Sequence, residues 1–120
     1  MSDIFLKQLS YLINENNLAI PMTFHINGSI VCGTTLSYNE YINLLLSPDK
    51  NTFFDQVIQS CHNLNMDTNH DTLYDFIHLS KVHVIHDEIN PYSYDEPIRI
   101  KLSDISAYQF GGYDFLKNRK

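Results

Sequence analysis

The sequence is poor in cysteine and has no long apolar segment. Its two cysteines, Cys32 and Cys61, are too few for a disulfide framework. No apolar stretch approaches the ~20 residues that a membrane span needs, and the first residues lack a basic region followed by an apolar run. These absences argue against a disulfide-rich secreted domain and predict a cytoplasmic protein without a membrane segment.

Basic residues are also scarce. The chain carries 8 Lys and Arg residues against 14 Asp and Glu residues, which gives a net charge of −6. Proteins that bind nucleic acids usually have a basic face, because contacts to phosphate supply much of their affinity. The composition therefore argues against nucleic acid as a partner.

Motifs of catalysis and of cofactor binding are missing. There is no Gly-x-Ser-x-Gly sequence and no glycine-rich phosphate loop. Cys32 and Cys61 lie on a predicted strand and on the apolar stripe of a predicted helix, so we expect small core residues. His78, His83 and His86 are close in sequence, but His83 and His86 face opposite sides of a regular strand. We expect solvent-exposed histidines, no metal, no cofactor and no enzymatic activity.

A β-hairpin is the clearest local structure. Residues 18–26 alternate between apolar and polar side chains and run into Asn27-Gly28. This dipeptide is a strong hairpin signal, because both turn positions favour a positive φ. A two-residue turn places Ile30 and Cys32 on the face opposite Phe24. Either both faces of the hairpin are covered, or a bulge resets the register.

Helix signals flank the hairpin. An amphipathic stripe follows Ser2 and ends at Asn16-Asn17. Ser37-Tyr-Asn-Glu40 is a capping-box pattern, and Thr52-Phe-Phe-Asp55 indicates a further helix start. This further helix is predicted to bury one stripe of side chains, namely Phe54, Val57, Ile58 and Cys61.

The remaining segments complete an α+β architecture. Residues 76–86 and 98–102 are predicted strands, and the second continues to Gln109 after a bulge. Pro21 suggests that the first strand lies at a sheet edge. We expect a single α+β domain over residues 1–116, with an antiparallel sheet of four to five strands and helices on one face. The basic tail, residues 117–120, is expected to be disordered.

Two acidic segments, residues 63–75 and 87–96, are predicted loops. Their charges could serve solubility alone, or they could attract a basic protein partner. Tyr92 and Tyr94 in the second segment add a little support to the second interpretation, because tyrosine is enriched at protein interfaces. The candidate partner-binding residues are those of the second segment: Asp87, Glu88, Tyr92, Tyr94, Asp95 and Glu96.

Four features occur in a fixed order: the N-terminal helix, the strand pair through Ile26–Gly33, the segment Phe76–Lys81, and a final strand from Ile98 to Gly111. In this order they resemble the GvpU family of gas vesicle accessory proteins. The family's Trp-rich lead into the last strand is replaced here by Asp95-Glu-Pro-Ile98. The resemblance implies a non-enzymatic accessory or adaptor protein that binds a gas vesicle shell protein or another accessory protein, and it leaves a homo-oligomer open.

Two alternatives remain. Gly33 followed by Tyr38–Leu46 is similar to the first motif of the Sm/Sm-like RNA-binding fold, with Asn39 and Asn43 as base-contacting positions. That resemblance implies an oligomeric RNA-binding ring, but the second motif lacks its glycine at Ile98-Arg-Ile. It also needs a strand where the capping box predicts a helix. The composition alone allows an acidic inhibitor or immunity-type protein that occupies a basic enzyme site.

Overall fold

The computed structural model describes residues 4–46, 52–68, 74–85 and 92–112. The helices are α1 (Ile4–Asn16), α2 (Tyr38–Leu45) and α3 (Phe53–Thr68). The strands are β1 (Pro21–Ile26), β2 (Ser29–Leu36), β3 (Phe76–Ile85), β4 (Tyr92–Tyr94), β5 (Ile98–Lys101) and β6 (Ala107–Phe110). A 3-10 helix, Leu102–Asp104, separates β5 from β6. None of the helices in the described residues combines the length and the apolar character of a membrane span.

The strands form one antiparallel sheet, so the predicted α+β class and N-terminal helix are confirmed. The strand order is β4-β3-β2-β1-β6, and β5 also pairs with β3. The sheet has six strands rather than four or five. One reason is that the predicted final strand is divided into β5 and β6. The other is that β4 lies inside the segment predicted as an acidic loop.

The sheet is curled. The strands β5 and β6 lie at opposite edges, beside β3 and β1, yet only residues 102–106 connect them. A flat sheet would separate these edges by four strand spacings, roughly 19 Å. A connection that includes a 3-10 helix of this length reaches roughly 16 Å. The two edges must therefore bend toward each other.

The hairpin forms as predicted. Ile26 pairs with Ser29, and the turn residues Asn27 and Gly28 have φ angles of 49° and 84°. Phe24 and its neighbour Thr23 are both 0% exposed although they point to opposite faces. Both faces of β1 are therefore covered, which is the first of the two alternatives. A register shift also occurs, but in the ladder between β2 and β3.

The edge position suggested by Pro21 is wrong. The strand β1 lies between β2 and β6, in the interior of the sheet. Pro21 is its first residue, where the missing N–H removes no essential ladder bond. The Pro21 carbonyl still accepts a hydrogen bond of 2.8 Å from the Gly111 N–H.

The main core lies between α1 and one face of the sheet. Its buried side chains are Leu6, Leu9, Ile13, Met22, Phe24, Val31, Ile77, Leu79, Val82, Ile100 and Leu102. His78 points to the other face, since side chains alternate along β3, and there it contacts Tyr38 and Tyr41 of α2. The helices therefore cover both faces of the sheet, and the predicted one-sided arrangement is wrong.

Two boundaries also differ from the prediction. The helix α3 continues to Thr68, into the segment predicted as an acidic loop. Ser103 and Asp104 belong to the 3-10 helix rather than to a bulge within one strand. As a result, Ile98 pairs with Leu79 of β3, whereas Ala107 pairs with His25 of β1. The tail at 117–120 lies outside the described residues.

Candidate protein-binding surface

Two capping boxes start α2 and α3. Ser37 Oγ accepts a hydrogen bond of 3.2 Å from the Glu40 N–H, and Glu40 Oε1 accepts one of 3.1 Å from the Ser37 N–H. Thr52 and Asp55 exchange the equivalent pair, both at 3.1 Å. Both predicted helix starts are confirmed. Each box satisfies N–H groups that the first turn of a helix leaves without partners.

Four large apolar side chains on α2 and α3 are exposed. Phe53 and Phe54 are 73% and 75% exposed, and Leu44 and Val57 are 55% and 43% exposed. We call these four residues the α2–α3 patch. Burying one such side chain is worth roughly 1.5–3 kcal/mol, so the fold leaves considerable apolar surface in water. Patches of this kind commonly mark binding sites.

An open pocket of about 410 Å³ lies beside the patch. Its lining consists of Leu45, Thr52, Phe54, Asp55, Ile58 and Glu96. The Asp55 carboxylate is buried and caps α3 through its bond to the Thr52 N–H. Glu96 is exposed and supplies negative charge to the pocket lining. The pocket therefore suits an apolar side chain that has a basic group close to it.

One of the predicted partner-binding residues lines this pocket. Tyr94, Asp95 and Glu96 are exposed, and Glu96 lines the pocket. Tyr92 lies in β4, which pairs with residues 82–84 of β3. The other two predicted residues, Asp87 and Glu88, lie outside the described residues. We call Asp95 and Glu96 the acidic rim.

The apolar face of α3 is exposed rather than buried. Phe54 and Val57 were expected in a buried stripe, but both are exposed, and Cys61 is exposed rather than a core residue. The helical spacing correctly indicated an apolar face. It gave no indication that the described part of the chain leaves this face exposed, and it did not single out the adjacent Phe53.

A second exposed apolar face lies on α1. Ile4, Phe5, Tyr11 and Leu12 are between 46% and 75% exposed. Two of them contact aromatic residues of the same chain: Phe5 stacks on Tyr108 at 6.1 Å, and Tyr11 lies 5.1 Å from Tyr74. Because it is partly covered in this way, we rank this face below the α2–α3 patch.

A buried aromatic cluster lies beneath α2. The Tyr41 and Tyr38 rings lie 4.5 Å and 5.7 Å from the His78 imidazole. Burial, and secondarily the Arg99 guanidinium, lower the pKa of His78 to about 3. Burial also raises the pKa of the Tyr41 phenol, so both groups are neutral at pH 7. The expectation that His78 is solvent-exposed is wrong.

The described residues give less support to a metal site, an Sm-like RNA-binding motif or a reactive thiol. No group of three or more His, Cys, Asp or Glu side chains converges among the described residues, and His86 lies outside them. Asn39 and Asn43 are exposed on α2, so the strand that an Sm-like motif requires is a helix. Cys32 is buried, as predicted, and burial raises the pKa of its thiol.

Comparison with known proteins identifies one family. A family model described as gas vesicle protein GvpU-like matches residues 3–113, which is nearly the whole chain. No curated protein matches the chain. The resemblance found in the sequence is therefore confirmed over both the core and the candidate surface.

Proposed function

Because the chain belongs to the GvpU-like gas vesicle protein family, we propose that it is a non-enzymatic accessory protein that binds another gas vesicle protein. Binding would use the α2–α3 patch, the adjacent pocket and the acidic rim. The exposed pair Phe53 and Phe54 beside a pocket is the observation that carries this proposal. We also propose that the protein acts in the cytoplasm.

The chemistry of the surface indicates what kind of segment it binds. Large apolar side chains at the centre of an interface supply most of its binding energy. Charged groups at the rim mainly set specificity and the association rate. Phe54 at the pocket and Glu96 on its lining correspond to these two roles. The expected partner segment therefore presents an apolar side chain next to Lys or Arg.

Co-flotation tests the proposal, because intact gas vesicles rise in a centrifuge and carry bound protein with them. We expect the wild-type protein to float with purified vesicles, or to bind separately purified gas vesicle proteins. Phe54→Ala should weaken binding at least tenfold, since losing about 1.4 kcal/mol of binding energy has that effect. Glu96→Lys should weaken binding more at low salt than at high salt, because salt screens charge interactions.

Matched variants serve as controls. Phe110→Ala removes a phenyl ring that is 53% exposed on β6, and Asp104→Lys reverses an exposed charge on the 3-10 helix. Neither should change binding. Failure to bind vesicles and every purified gas vesicle protein would contradict the proposal. Self-association that Phe54→Ala abolishes, without binding to any of them, would instead assign the patch to a second copy.

A further inference from the structure

A buried histidine connects the sheet to α2. His78 is 0% exposed and lies in β3, opposite Leu36 of β2 and Arg99 of β5. On its outer side it meets the rings of Tyr41 and Tyr38, at 4.5 Å and 5.7 Å. The imidazole is therefore enclosed between three strands and the overlying helix.

The same line of contacts continues into α3. The Tyr38 hydroxyl lies 3.1 Å from His62 Nδ1, and the two rings are 5.5 Å apart. Among the described side chains, Tyr38 is the buried residue of α2 and Asp55 is the buried residue of α3. Few side chains of these helices are fully buried, and Tyr38, one of them, lies against His78. The Tyr38 N–H also donates to Asn14 Oδ1 of α1 at 2.7 Å, so His78 is one of the contacts that hold α2 in place.

The surroundings of His78 suit only its neutral form. Neither ring nitrogen has a hydrogen-bond partner among the described residues. A neutral imidazole leaves one N–H group unsatisfied, whereas an imidazolium leaves two and adds a buried charge. Arg99 would then stand beside a second positive charge, and the same two causes, burial and Arg99, lower the pKa of His78 to about 3.

The other titratable groups around His78 do little to stabilise a positive charge on its ring. Tyr38 and Tyr41 of α2 present phenols, and His62 of α3 is a further base. Glu96 acts on the cluster, since its charge contributes to the raised pKa of Tyr41. Its carboxylate is exposed, however, so water and salt screen it.

We propose that His78 is an acid-sensitive latch, whose protonation releases α2 and α3 from the sheet while α1 and the sheet remain folded. Once released, the imidazole returns to its ordinary pKa of 6.5. Between pH 6.5 and 3 the open form therefore binds more protons than the closed form, and opening becomes more favourable as the pH falls. Partner binding would weaken in acid to the extent that the open form becomes populated, and this last consequence alone rests on the proposed function.

Amide hydrogen exchange of the whole chain tests the latch without any partner. The pKa values of 6.5 and about 3 predict that the opening equilibrium rises about 20-fold between pH 7 and pH 5. After correction for the intrinsic exchange rates, the α2 and α3 amides should lose about 20-fold in protection. Amides in β1 and β2 should not share this loss. An equal loss throughout the sheet would overturn the proposal.

Two variants identify the group responsible. His78→Phe keeps an aromatic ring that cannot bind a proton, and it should abolish the pH dependence. His62→Gln changes a histidine of the same cluster, and it should keep the 20-fold ratio. A pH dependence that persists in His78→Phe would overturn the assignment. If that variant fails to fold, the wild-type NMR titration decides, because His78 ring signals that titrate near pH 6.5 would contradict the latch.

Discussion

Glycine is favoured at positions 28 and 33 for different physical reasons. Gly28 has a φ of +84°, and a Cβ placed there would meet nothing within 4 Å. At Gly33 a Cβ would lie 3.0 Å from both Leu79 Cβ and the Ser80 carbonyl oxygen. The first glycine is thus favoured by backbone conformation and the second by the close approach of β3.

This difference can be measured with two substitutions. Gly33→Ala should lower the free energy of unfolding by about 1–3 kcal/mol, because the added methyl group must displace β3. Gly28→Asn should cost less than about 1 kcal/mol, since asparagine tolerates a positive φ in turns. Urea denaturation of both variants gives the comparison. Equal losses at the two positions would show that space at Gly33 is not limiting.

Burial of a side chain could be predicted from the sequence where the alternation of apolar and polar residues matches the contacts in the folded structure. Phe24 alternates with polar neighbours in a hairpin and is 0% exposed, and Cys32 is buried as expected. His78 and Phe54 show where the sequence is insufficient. His78 lies between Phe76 and Ser80 on one face of β3, and the sequence does not show that Tyr38 and Tyr41 cover it. Phe54 lies on a clear apolar stripe that nothing in the described part of the chain covers.

The stability of α2 and α3 depends on the hydrogen bonds in their first turns. Helix α2 has eight residues, fewer than the roughly 12–15 that an isolated helix needs to persist in water. Each helix buries little against the sheet, and each begins with a complete capping box. Their capping residues therefore contribute a larger share of local stability than caps usually do.

Removing the cap of α3 tests this dependence. Thr52→Ala deletes the hydroxyl that accepts from the Asp55 N–H at 3.1 Å, and it should cost about 1 kcal/mol. The loss should appear as faster amide exchange in α3, with β1 and β2 unchanged. Gln59→Ala, at an exposed position of the same helix, should have no destabilising effect. Similar changes in the two variants would contradict a role for the cap.

Whole elements were predictable when local chemistry determines them. Asn27-Gly28 specified the hairpin, and Ser37 with Glu40 specified the start of α2. The division of the last strand was not predictable in the same way. Ser103-Asp104 indicates an interruption, but the choice between a bulge and a crossing to the other sheet edge depends on curvature. That curvature arises from the assembled sheet rather than from any one segment.

The connection from β5 to β6 joins the two edges of the sheet. Leu102 is 1% exposed and belongs to the main core, and its carbonyl accepts a hydrogen bond of 3.1 Å from the Ile105 N–H. One residue later, the Ser106 N–H donates to the His25 carbonyl at 2.9 Å. Leu102 is thus the most deeply buried side chain of this connection, and Ile105, which packs against the core, and Ser106, whose hydroxyl also donates to the His25 carbonyl, support it.

We therefore expect Leu102→Ala to weaken the whole molecule. The lost burial and the remaining cavity should cost about 2–5 kcal/mol, a large part of the roughly 5–15 kcal/mol that stabilises a small domain. Ser103→Ala, at the exposed next position, should change the free energy of unfolding by less than about 0.5 kcal/mol. Urea denaturation measures the total loss in the free energy of unfolding, and amide hydrogen exchange shows how that loss is distributed over the strands. Faster exchange in β5 and β6 together is expected from a shared anchor, whereas a loss confined to β5 would mean that the two edges are held independently.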